Sequence, residues 1–175
     1  MAFTPHPDTG SVPYERVFRA LSAASVRYLV VGGVAVNLYG VPRMTADVDL
    51  ILALVPENVL AAVRALEGLG LRPRAPVKAE GLADPRQREE WVREKGMKAF
   101  SFHDPGLTLP EVNLLLTLPF DFEEAWGRRR IERDGDLEIP LVSLEDLIAL
   151  KRGTGRAQDQ SDIVALEQLR RGGTT

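Results

Sequence analysis

The stretch Asp47-Val48-Asp49-Leu50-Ile51-Leu52-Ala53 constrains this chain more than any other. A β-strand sends successive side chains to opposite faces, so Asp47 and Asp49 share one face while Val48 and Leu50 point into a core. Two same-face carboxylates have Cα atoms ~7 Å apart and repel each other. A solvated strand end tolerates that repulsion. A divalent cation between the two removes it, and carboxylate oxygens suit Mg²⁺.

Around this strand the chain alternates strand-like and helix-like segments. Pro13 and Glu15 mark a helix start, with Ser11 just before it, and the stripe Val17, Phe18, Leu21, Ala24 continues the helix. Arg27–Val31 reads as a short buried strand, Val34–Tyr39 as a short helix and Pro56–Gly68 as a longer one. Residues 72–84, rich in proline, glycine and charge, read as loop. Arg86–Lys95 reads as a charged helix anchored by Trp91. Strands follow at Met97–Phe102 and Glu111–Leu118, joined by a turn at Asp104-Pro105-Gly106, with a helical turn at Phe122–Arg128. Ile131–Arg133 and Leu137–Ile139 form a hairpin about Asp134-Gly135. Ser143 opens a capped helix with Asp146 at its third position, flanked by the staple Val142 and Leu147. A last helix covers about Gln158–Leu169. The expected fold class is α/β (α+β): a mixed β-sheet with a helical C-terminal extension.

With 175 residues the chain suits one domain and needs no covalent staple. The expected organisation is a loosely ordered stretch 1–12, an α/β domain over 13–142 and a helical pair over 143–175 packed on it. Cysteine is absent and only His6 and His103 are present, which excludes disulfides, Cys-ligated zinc, iron–sulfur clusters and His-rich metal sites. A net charge of −3 is no footprint for strong non-specific nucleic-acid binding. No apolar run approaches the ~18 residues of a membrane span, and the first residues lack a signal-peptide core, so the expectation is a cytoplasmic protein with no membrane partner.

Gly32-Gly33 lies between a buried strand and a helix. Such a pair serves as a tight turn, or lets a ligand approach the backbone beside the N–H groups of a helix start. It is neither a Walker loop nor a dinucleotide fingerprint.

The run Val31-Gly32-Gly33, thirteen residues, then Asp47-Val48-Asp49 resembles the signature of the nucleotidyltransferase superfamily that includes DNA polymerase beta. Arg43-Met44-Thr45-Ala46 before Asp47 is similar to the R-x-T-x-D-x-D form of small prokaryotic members, among them abortive-infection toxin nucleotidyltransferases. The likeness extends from about Ser25 to Leu169. Glu111-Val112-Asn113-Leu114-Leu115 falls where the family carries its third carboxylate. Glu145-Asp146-Leu147-Ile148-Ala149-Leu150-Lys151, with Arg156, Asp159 and Asp162, is similar to the family's C-terminal pattern.

The resemblance implies that Asp47 and Asp49 hold Mg²⁺ (or Mn²⁺) against a nucleoside triphosphate whose phosphates meet Gly32 and Gly33. The reaction it implies is attack by an acceptor hydroxyl on the α-phosphate, the acceptor being RNA, protein or a small molecule. The third carboxylate position is Asn113, whose neutral amide is a weaker base and metal ligand. Glu111, two residues earlier on the same face, either substitutes for it or is a strand-end charge. Arg43 steadies a phosphate, pairs with Asp47 or is a loop charge. Thr45 bonds a phosphate or its own backbone. Lys151 faces the nucleotide or serves its helix end. Asp159 and Asp162 read as first-turn acids, with Arg156 paired to Asp159. Arg128-Arg129-Arg130 reads as a solvated face, Trp91 and Trp126 as core anchors, and His103 as a turn residue without a catalytic role. Two further readings stay open: a binding module that has lost the chemistry, and the toxin of a toxin–antitoxin pair with a protein antidote.

Overall fold

A computed structural model describes residues 12–172 of the chain. The expected loose stretch 1–12 apart from Val12, with Ser11 and His6, lies outside the described residues.

The first helix, α1 (Pro13–Ala23), starts at a proline and buries Val17, Phe18 and Leu21. It leads to β1 (Tyr28–Val31), buried at all four positions, and directly into α2 (Gly32–Leu38). Both glycines therefore belong to the helix's first turn, with Gly32 at φ +67° making the turn out of β1. β2 (Asp47–Leu52) follows, then α3 (Pro56–Gly68), which buries Val59, Ala62, Val63 and Leu66.

Residues 72–84 depart from the expected loop. Arg72–Pro73 forms a short edge strand, β3, and Ala79–Ala83 a 3-10 turn that buries Ala79 and Leu82. A proline is tolerated there because an edge strand leaves some N–H positions unpaired. α4 (Pro85–Lys95) buries Trp91 and closes on Gly96, at φ +61°, with the Met97 N–H donating to the Trp91 carbonyl at 3.0 Å. Met97 thus belongs to the helix cap, and β4 is Ala99–His103. β5 is Glu111–Leu115, shorter than expected, and α5 is Phe122–Gly127. The hairpin is β6 (Arg130–Asp134) and β7 (Leu137–Leu141). Asp134 pairs with Leu137, so its two-residue loop is Gly135-Asp136, one step beyond the expected position, with Gly135 supplying the positive φ.

The strands form one seven-stranded mixed sheet in the order β3-β4-β5-β2-β1-β7-β6. β2 pairs antiparallel with β1 and parallel with β5, so the carboxylate-bearing strand lies in the middle of the sheet. α6 (Leu144–Arg152) and α7 (Ala157–Gly172) complete the chain and pack on each other. Ser143 caps α6 by accepting from the Asp146 N–H at 3.1 Å, and Val142 and Leu147 are fully buried beside it. The expected box closes by only one arm. The Asp146 carboxylate turns away to Arg128, at 3.0 and 3.1 Å, because a bidentate guanidinium is the stronger donor.

Candidate active site

The turn from β1 into α2 sets the back wall of the site. Gly32 sits at φ +67°, where side chains are strained. A β-carbon there would fall onto Asp49 Oδ2 and lie 2.9 Å from Asp49 Cβ. One on Gly33 would lie 2.7 Å from Thr45 Oγ1 and 3.2 Å from Arg43 Cζ. Glycine is thus required because the site's own side chains press against this backbone. Thr45 donates its hydroxyl to the Asp47 carbonyl at 3.2 Å, which ties the 41–46 segment to the start of β2.

Across the sheet, register lines up the polar groups. Asp47 stands opposite Glu111, and Asp49 opposite Asn113, on parallel strands. Asn113 donates its amide to Asp49 Oδ1 at 2.9 Å and accepts from the Ser101 hydroxyl at 2.6 Å. Ser101, Asn113 and Asp49 therefore form a hydrogen-bonded row over β4, β5 and β2. Sequence reasoning missed Ser101, although the alternation Phe100-Ser101-Phe102 places it on the polar face. It also missed Arg74, which forms an ion pair with Glu111. The Asp47 carboxyl is raised from its ordinary value, first by partial desolvation at the strand end, then by the charges of Glu111 and Asp49. Arg74 pulls the other way.

The helical pair supplies the opposite wall. Lys151 is only 4% exposed and donates to Asp159 at 3.0 Å and Asp162 at 2.8 Å, both also buried. The same Asp162 oxygen accepts from Arg43 at 2.6 Å. Arg43 is therefore not paired with Asp47. Its reach ends on α7, which fastens the 41–46 segment to the C-terminal helices. Asp159 and Asp162 are more than first-turn acids, because together they pair the buried Lys151. Burial works to raise the Asp159 carboxyl. Hydrogen bonds from Thr154, Lys151 and Arg156 overcome it and hold the group down at about 2. Arg156 approaches Asp159 at 2.7 Å while its side chain stays 75% exposed.

These walls enclose a cleft of about 350 Å³ bordered by Gly32, Asp47, Asp49, Asn113, Lys151 and Arg156. A smaller adjoining space of about 250 Å³ reaches Gly33, Arg43 and Thr45. The expected residues thus converge, while Glu111 stands at the edge, engaged by Arg74. Among the described residues no group of three His, Cys, Asp or Glu side chains could hold a metal ion. Two carboxylates remain, a donor set that fits Mg²⁺ when water and phosphate oxygens complete the shell.

Other expectations fall elsewhere. Arg128 and Arg130 are exposed, as a solvated face requires, but each is also engaged: Arg128 pairs with Asp146, Arg130 stacks on Tyr39, and the less exposed Arg129 stacks on Trp126. Trp126 is partly buried against the core and also serves as a platform for Arg27 and Arg129, whereas Trp91 is buried against Phe100. Among the described residues no helix is long and apolar enough to cross a membrane.

The chain is similar in structure to a lincosamide antibiotic adenylyltransferase, LnuA, solved with lincomycin bound. The TM-score is 0.58 and the identity 16%, over 91% of this chain and 99% of that one. ANT(2'')-Ia in complex with adenylyl-2''-tobramycin is similar with a TM-score of 0.54 and 14% identity, over 90% of this chain and 92% of the other. An antigenic nucleotidyltransferase-like protein from Paracoccidioides brasiliensis gives 0.53 and 18%, over 87% and 72%. At these identities the likeness is one of fold, and the fold is that of the nucleotidyltransferases. By sequence the chain belongs to the family described as nucleotidyltransferase of unknown function (DUF6036), which it matches over residues 17–171. No curated protein matches it by sequence.

Proposed function

We propose that this chain moves a nucleoside monophosphate from a nucleoside triphosphate to an acceptor hydroxyl, with Mg²⁺ or Mn²⁺ held by Asp47 and Asp49. The observation that carries the reading is the meeting of these two carboxylates with Gly32, Lys151 and Arg156 around one cleft. The metal would neutralise phosphate charge and orient the α-phosphate. Lys151 has three N–H donors and two are taken by carboxylates, which leaves one for a phosphate. Arg156 has its exposed guanidinium nitrogens free of Asp159 except at Nε. The acceptor oxygen bonds to the α-phosphorus, the bond from that phosphorus to the bridging oxygen breaks, and pyrophosphate leaves. The hydroxyl proton passes to water or to Glu111.

A small-molecule acceptor is the first choice, since the two antibiotic-modifying neighbours carry lincomycin and an adenylylated tobramycin. The test is incubation with each α-labelled triphosphate, Mg²⁺ and, separately, a small-molecule extract, total protein and total RNA. Label on a small molecule supports the full reading. Label on RNA or protein supports transfer with another acceptor, the outcome that would fit a toxin.

One observation favours a second reading. Asn113 already satisfies Asp49 with a hydrogen bond where a third carboxylate would act, as expected of a nucleotide- or partner-binding module without chemistry. Triphosphate binding with no label transferred to any acceptor supports that module.

A further inference from the structure

Asp47 borders two separate spaces. One is the cleft just described. The other is a larger groove of about 660 Å³, which shares Asp47 with the cleft and the stretch from Arg43 to Asp47 with the smaller adjoining space. Tyr14, Val34, Met44, Val48, Leu107 and Leu109 give the groove an apolar lining.

We propose that this groove binds the acceptor, and that the acceptor is a small alcohol with a largely apolar, uncharged body. The inference rests on the transferase reading and adds the substrate class. The volume is that of a site for a drug-sized molecule. An occupant meets the reacting centre at Asp47, which both spaces share.

The lip of the groove is built to present apolar surface. Met44 is 95% exposed and Leu107 90%. Isolated exposed apolar side chains are common, but these two stand at one opening. Leu107 also sits at φ +57°, a left-handed conformation that leucine avoids and glycine adopts freely. The Asp104 carboxylate holds it there. It accepts from the backbone N–H groups of Gly106, Thr108 and Leu109 at 2.7 to 2.9 Å and from the Thr108 hydroxyl at 2.8 Å. The loop is thus fastened around a leucine that touches little of its own protein.

Charge selects among occupants. Among the described residues the lining holds two charged side chains, Asp47 and Arg43, of opposite sign, and Arg43 is engaged by Asp162. A polycation finds one carboxylate there, and an RNA backbone finds no free cation. A neutral molecule whose apolar body fills the groove and whose hydroxyl reaches the polar end at Asp47 meets no charge penalty there.

The test uses the full chain with Mg²⁺, α-labelled triphosphates and three acceptor arms: phenyl and naphthyl β-D-glucopyranosides, tobramycin, and total RNA. Binding of the triphosphate is followed separately by its shift of the melting temperature. Label should appear on the glucosides. Leu107→Asp should raise the glucoside KM about tenfold or more and leave the triphosphate shift unchanged. Leu107→Gly should raise the melting temperature, by relieving the backbone, while it raises the same KM. A merely structural leucine would show the first effect without the second. Label on tobramycin or RNA in preference, an unchanged KM, or bound triphosphate with unlabelled glucosides overturns the proposal and leaves the transferase reading standing. No binding of any triphosphate overturns both.

Discussion

Asn113 donates its side-chain amide to Asp49 Oδ1 at 2.9 Å, across the parallel pairing of β5 with β2. That contact decides how the metal-free site bears its charge. A donor stands where a carboxylate would add a third negative group, and Ser101 holds the amide by donating to its oxygen.

Asn113→Asp should therefore lower the stability of the metal-free protein by about 1–3 kcal/mol, through the lost hydrogen bond and the new repulsion. Mg²⁺ should restore more stability to this variant than it adds to wild type. If the missing base limits turnover, transfer should rise by about 10²-fold or more. Urea unfolding with and without Mg²⁺, beside a labelled-triphosphate assay, measures both effects.

Asp47 gives the converse case. Its carboxyl is raised by partial desolvation and by Glu111 and Asp49, so its ionised form is disfavoured in the folded metal-free chain. Asp47→Asn should raise the metal-free melting temperature at pH 7 and abolish the increase that Mg²⁺ with a triphosphate gives wild type. A variant that keeps the full ligand shift would place the metal elsewhere.

Lys151 is a third point of leverage. Removing it takes the shared cation from Asp159 and Asp162, which keep Arg156 and Arg43, a change of about 1.5–3 kcal/mol. Lys151→Met should show that loss by urea unfolding with no nucleotide present. Only a ligand-facing lysine without a structural role would leave the apo protein unchanged.

Asp159 supplies a pH test. Its carboxyl is held at about 2, below the ordinary 3.8, so it contributes stability that is complete above about pH 4. That contribution fades as pH falls from 4 toward 2, because the unfolded chain then binds the proton first. Melting temperatures across this range should fall more steeply for wild type than for Asp159→Asn. Parallel curves would remove Asp159 as a source of acid sensitivity.

Much of this site was legible from local pattern. The alternation in Asp47-Val48-Asp49 and the Gly32-Gly33 pair announce a strand end and a close approach, since both are properties of neighbouring residues. Glu111 and Asn113 were placed on one face by the same period. What was not legible depends on long-range partners. Arg43 meets Asp162 119 positions away, and Arg74 meets Glu111 37 positions away. Charge alone does not choose between partners at such distances. Likewise, a carboxylate in the first turn of a helix looks the same in a string whether it faces water or, as at Asp159, a buried lysine.

The glycine pair separates two roles that the string leaves merged. At Gly32 any side chain would meet Asp49 and also stand at φ +67°, so Gly32→Ala combines a contact with a left-handed backbone that costs about 1–2 kcal/mol for an L-residue. It should lower the melting temperature and, by displacing Asp49, weaken the Mg²⁺-dependent response. At Gly33 no positive φ is involved. A methyl group there meets Thr45 Oγ1 at 2.7 Å and Thr45 Cβ at 2.8 Å, and Arg43 Cζ at 3.2 Å. Gly33→Ala should therefore be rescued by a change at the neighbour. Gly33→Ala with Thr45→Gly should recover most of the melting temperature lost by Gly33→Ala alone, beyond the sum of the two single effects. The same companion change should do nothing for Gly32→Ala, whose neighbour is Asp49. If the rescued protein also binds a triphosphate as wild type does, Gly33 serves the packing of the 41–46 segment. If melting recovers and triphosphate binding does not, the bare backbone at Gly33 is needed by the phosphates themselves.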